Sequence, residues 1–121
     1  MLVGKVVAAT MLFQLTELEY DIIDLLADGP ESLVMLLREG ERAQHPWELG
    51  LVVTALLGMV ERQLLRCARV PGSAAFMLPT REALVMHATT AHASVEGDYW
   101  FELTERGQAV WTMWLQARQL G

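Results

Sequence analysis

The chain has no asparagine, so it carries no N-glycosylation acceptor. It has a single cysteine, Cys67, which excludes an internal disulfide and gives no sign of an oxidising compartment. Its three histidines, His45, His87 and His92, lack metal-ligand spacing, and Cys67 stands apart from them. No Gly-x-Ser-x-Gly elbow, phosphate loop or dinucleotide fingerprint occurs, which leaves an enzyme without its usual equipment. No apolar run approaches the roughly 18 residues of a membrane span. Positive charge is also scarce. The net charge is −6, against the habit of nucleic-acid binders, which carry a basic patch. No cofactor is expected, and the cysteine usage fits a cytoplasmic protein.

What is present reads as a globular domain. The 121 residues are 53% hydrophobic, enough for one core, and charged residues are near the usual share. We read residues 1–121 as one domain. The opening Met-Leu-Val-Gly-Lys-Val-Val-Ala-Ala-Thr has an apolar, faintly leader-like character, but a helix signal begins by Thr16. Residues 1–15 are therefore taken as mature chain that packs on the domain or across a dimer. Thr16-Glu17-Leu18-Glu19 fits a capping box. Leu18, Ile22, Leu25 and Leu26 then form an apolar stripe, with Glu17, Asp21, Asp24 and Asp28 on the other side. That acidic stripe is a solvated face, or a surface that repels phosphate or docks a basic partner. Asp28-Gly29-Pro30 ends the helix. A short helix over about 31–39 buries Leu33, Leu36 and Leu37. A polar connection leads to Pro46, placed to open a third helix running to Arg62.

Leu65, Cys67 and Arg69 alternate as in a strand, and Tyr99, Phe101 and Leu103 share a face of a returning one. Thr104 suits an N-cap for a last helix reaching about Gln119. Between the strands, residues 71–98 form a long connection. Two arrangements fit it: a helix after Pro79, or a longer strand pair from Ala74–Met77 and Leu84–His87. The pattern is that of an α+β winged helix-turn-helix, mostly helical with a small antiparallel β-wing.

Three stretches resemble the bacterial winged-helix regulators of the MarR and PadR types. Leu15-Thr16-Glu17-Leu18-Glu19-Tyr20 through Pro30 looks like their helix before the helix-turn-helix. Thr54-Ala55-Leu56-Leu57-Gly58-Met59-Val60-Glu61-Arg62-Gln63-Leu64-Leu65 looks like their recognition helix and its exit, with leucine at position 64 where the family commonly has glycine. Phe101-Glu102-Leu103-Thr104-Glu105-Arg106-Gly107 is similar to their last strand and helix start. The resemblance implies a homodimeric transcription regulator that binds duplex DNA through the third helix and the wing.

On that reading the DNA contacts would fall to Thr54, Arg62, Arg66, Arg69 and Arg81. Yet from Thr16 to Glu61 there are ten acids, and Arg38 and Arg42 are the bases. The face expected to meet a groove carries Leu51, Val52, Ala55 and Met59, none of which bonds strongly to a base edge. Such a face is either a protein interface or a helix buried more deeply than usual. A winged helix used for protein interaction, without DNA, is therefore the alternative function. Trp111, Trp114 and Leu115 belong to a last helix that is apolar nearly all round, which a homodimer would cover. Trp47 and Trp100 are expected in packing, and Cys67 as a small buried hydrophobe with a redox sensor as the other reading.

Overall fold

A computed structural model of the chain describes residues 14–90 and 97–120. Residues 1–13, the segment expected to join a dimer, lie outside the described residues. Among the described residues, five helices and three strands make an α+β fold: α1 Glu17–Leu26, β1 Glu31–Ser32, α2 Leu33–Glu41, α3 Leu49–Glu61, β2 Leu65–Ala68, α4 Arg81–Thr89, β3 Trp100–Leu103 and α5 Glu105–Leu120.

The capping box forms as expected. Thr16 Oγ1 accepts from the Glu19 amide at 3.1 Å, and Glu19 Oε1 accepts from the Thr16 amide at 2.9 Å. Ile22, Ile23 and Leu26 then point inward, while Asp21, Asp24 and Asp28 stay in solvent. Past Gly29, whose φ of +141° suits a residue without Cβ, the chain makes β1 before turning into α2. The second helix therefore starts at Leu33 and not at 31, capped by Ser32, whose hydroxyl accepts from the Met35 amide at 3.2 Å. The third helix likewise begins at Leu49, three residues after Pro46, with Trp47 packed against Gly40.

The sheet is antiparallel with order β1-β3-β2. β3 is its centre, where Phe101 stands opposite Glu31 on one side and Cys67 on the other. Phe101 is fully buried, and Tyr99 beside it nearly so. Burying such a ring contributes about 3 kcal/mol, so this strand anchors the core. α3 leaves for β2 through a tight reversal: the Leu64 amide reaches the Met59 carbonyl at 2.9 Å, and Gln63 adopts φ +63°. The left-handed residue is thus Gln63, one before the position that would hold glycine in the resembling families. α5 docks onto the same reversal. A Cβ on Gly107 would run into the Leu64 carbonyl oxygen, so glycine is required where α5 crosses it.

The long connection resolves in favour of a helix. Thr80 caps α4 by accepting from the Ala83 amide at 3.1 Å. Ahead of it, Met77 makes an isolated bridge to Cys67. The alternative of Leu84–His87 as a strand is excluded, because those residues are helical. α4 lies against α3, with Leu84 fully buried. Asp98 ties the far end of the connection down. This buried carboxylate accepts from the Val34 amide at 2.8 Å at the start of α2 and lies 3.1 Å from His87 Nε2.

Candidate functional site

The face of α3 expected to be open is mostly closed. Val52 and Met59 are fully buried and Ala55 is 7% exposed, which corrects the expectation that they point outward. The cause is packing on three sides, by α1, α4 and β2. A helix apolar around most of its circumference can bury any of its sides, and here α1 and α4 chose. Leu51 alone of the four remains exposed, at 56%. The exposed strip of α3 carries Leu51, Thr54 and Glu61, with Gly58 half-buried between them. That strip holds one acid and no base.

Each residue expected to touch DNA is engaged within the chain. Thr54 donates to the Gly50 carbonyl at 2.9 Å and accepts from Arg81 Nη2 at 2.6 Å. Arg62 pairs with the buried Glu19 carboxylate and also donates to the Gly58 carbonyl at 3.0 Å. Arg66 Nε donates to Glu102 Oε1 at 2.6 Å across the sheet, and its guanidinium lies 4.6 Å over the Phe76 ring. Arg69 donates to the Gly97 carbonyl at 2.6 Å and lies 4.3 Å over Tyr99. The structure brings Thr54 and Arg81 together, but leaves Arg62, Arg66 and Arg69 at separate intramolecular posts.

On α5, Val110 is buried, and Trp111, Trp114 and Leu115 are half-buried. Trp111 Nε1 donates to Asp24 at 3.0 Å, and Trp114 stacks on Tyr20 with ring centres 5.4 Å apart. The two tryptophans thus hold α5 to α1. Trp47 packs on the core, and none of these rings lines the main groove described below.

Cys67 is buried at the sheet, and burial pushes its thiol up to about 11, against the opposing pull of Arg69. A protonated, enclosed thiol is a poor nucleophile. Asp21 is raised by burial first and then by Glu17 and Asp24, with Arg118 opposing. Among the described residues, no three His, Cys, Asp or Glu side chains gather as metal ligands.

A groove of about 790 Å³ runs between the Phe76–Leu78 segment, the end of α3 and the start of α5. Val60, Phe76, Met77 and Leu78 give it apolar walls, and Arg66, Thr104, Glu105 and Arg106 its polar rim. Leu78 is 81% exposed and Phe76 45%. A second, smaller groove of about 400 Å³ lies between α1 and α3 along Leu18, Leu51 and Ala55, closed at one end by the Glu19–Arg62 pair. Sequence reasoning missed Phe76, Leu78 and Arg106 as surface features. The Glu105-Arg106-Gly107 run marked a helix start, and nothing in it signalled that Arg106 would border a groove.

Comparison with protein-family models, with characterised proteins and with solved structures returned no match. Among the described residues, no helix is long and apolar enough to cross a membrane.

Proposed function

We propose that this chain is a protein-interaction module built on a winged-helix scaffold, and that α3 does not read duplex DNA. The scaffold reading is supported by the helix order and by the antiparallel β2–β3 pair with α5 returning behind it. The functional reading is carried by the exposed strip of α3, where Leu51, Thr54 and Glu61 offer no cation and the Thr54 hydroxyl already serves Gly50 and Arg81. Base readout needs a free donor or acceptor on that strip, and its one hydroxyl already has partners within the chain. The net charge of −6 adds long-range repulsion toward phosphate. A cytoplasmic setting and a homodimer belong to the same proposal. The dimer is supported by α5, where Met113 and Leu115 keep part of their apolar surface in solvent.

The DNA-binding regulator implied by the MarR and PadR resemblance is the alternative, and one experiment separates the two. Anisotropy of labelled genomic duplex fragments is measured against the intact chain at about 50 and about 200 mM salt. The expected result is no binding at either. Binding that falls steeply between them would restore the regulator, because phosphate contacts release counterions.

A further inference from the structure

The groove beside α5 combines two features that otherwise stay apart in this molecule. One is apolar surface left in water, at Leu78 and Phe76. The other is an unused cation. Among the described residues, seven arginines have a partner within the chain: Arg42 with Glu39, Arg62 with Glu19, Arg66 with Glu102, Arg69 with Gly97, Arg81 with Thr54, Arg118 over Trp114, and Arg38 with the Met35 sulfur. Arg106 has none, and it stands exposed on the groove's rim. The N-terminal end of α5 borders the same groove, with its Gly107 amide donating to the Thr104 hydroxyl. Glu105 is the opposing charge at this rim. Arg66 is already neutralised by Glu102.

We propose that this groove docks a short acidic-apolar segment of a partner protein. Its apolar side chains would lie on Leu78, Phe76 and Val60, and its carboxylate on Arg106. This rests on the interaction-module reading above and names the chemistry of the partner. Charge complementarity selects the acid: a basic segment would be drawn to Glu17, Asp21 and Asp24 on α1, whereas an acidic one is repelled there and meets Arg106 here. Exposure selects a protein segment over a small molecule. Small ligands bury most of their surface in their sites, and a wall built on an 81%-exposed Leu78 cannot enclose one. A chain lying across the groove covers that wall with its own backbone and side chains.

The test uses the intact chain as bait for a displayed library of short random peptides, with Arg106→Glu and Leu78→Ser bait variants in parallel. Both residues are exposed, so thermal melts of the variants should match the wild type. Recovered peptides should share an aspartate or glutamate close to two apolar residues. One of them, synthesised with a label, should bind at least about tenfold more weakly to Arg106→Glu, and Arg106→Lys should recover part of the loss. The proposal is overturned if no sequence is enriched, if the shared residue is basic, or if binding ignores both variants. It is also overturned if sedimentation shows a wild-type dimer that Leu78→Ser separates, since a second copy would then own the groove. Unlabelled duplex DNA is added as competitor. Displacement of the peptide by duplex would sink the interaction-module reading itself, whereas peptide failure with no duplex binding sinks this inference alone.

Discussion

The first half of the chain and the Val70–Met86 connection treat apolar residues in opposite ways. From α1 to α3, Ile22, Leu33, Leu36, Val52 and Leu56 are fully enclosed, and the acids of α1 face water. In the connection, Val70, Phe76, Leu78 and Met86 are exposed at 60%, 45%, 81% and 70%. The first half spends its apolar residues on holding itself together. The connection contributes Leu84 to the core and leaves much of the rest outside. Stability and recognition are thus assigned to different stretches, and substitutions should separate them.

The largest expected effect is Val52→Asp. A charge placed among α1, α3 and α4 has no partner, and the loss should reach about 4 kcal/mol or more, seen as a collapsed urea midpoint. A near-normal midpoint would show that α3 turns this side outward, and the contrast between the halves would dissolve. Gly107→Ala comes next. Its methyl must displace the Leu64 carbonyl or lift α5, costing about 2 kcal/mol in the same assay.

Asp21→Asn should act in the other direction. Burial, with Glu17 and Asp24 beside it, raises the Asp21 carboxyl above its ordinary value. The folded chain then holds that proton to higher pH than the unfolded chain, so the carboxylate becomes unfavourable as pH rises through the raised value. The amide should stabilise at neutral pH by under about 0.5 kcal/mol after solvent screening, and the gain should vanish below about pH 4. Melts at both pH values read it directly. A loss at neutral pH would mean that Arg118 outweighs the acids. Leu78→Ser should change least, within about 0.5 kcal/mol, because an exposed leucine has little to lose. A large loss there would place the Phe76–Leu78 segment in the fold's support.

Much of the architecture was legible in the sequence because it rests on local chemistry. The Thr16–Glu19 box, the alternation at Leu65–Cys67 and the threonine before α5 each announce an element within a few residues. The two-residue β1 was not legible, since so short a strand exists only through its pairing with β3. Choice of the outward side of α3 failed for a related reason. Its apolar residues surround the axis, so periodicity could not say which side α4 would cover. The partners of the arginines were not legible because they are far away in the chain. Arg62, Arg66, Arg69 and Arg81 bond across separations of 43, 36, 28 and 27 residues. Arg106 and Leu78 went unnoticed because exposure is a property of the finished surface, not of a spacing.

Cys67 turns the sheet edge into its own clock. The thiol is the sole one in the chain, it is fully covered, and the Met77 bridge crosses its strand. An alkylating reagent reaches it when the chain opens around β2, locally or through unfolding of the whole. Under native conditions the labelling rate therefore counts openings of the fold around β2. Denaturant dependence of that rate sorts the two events, because lifting a few residues exposes little surface and global unfolding exposes much.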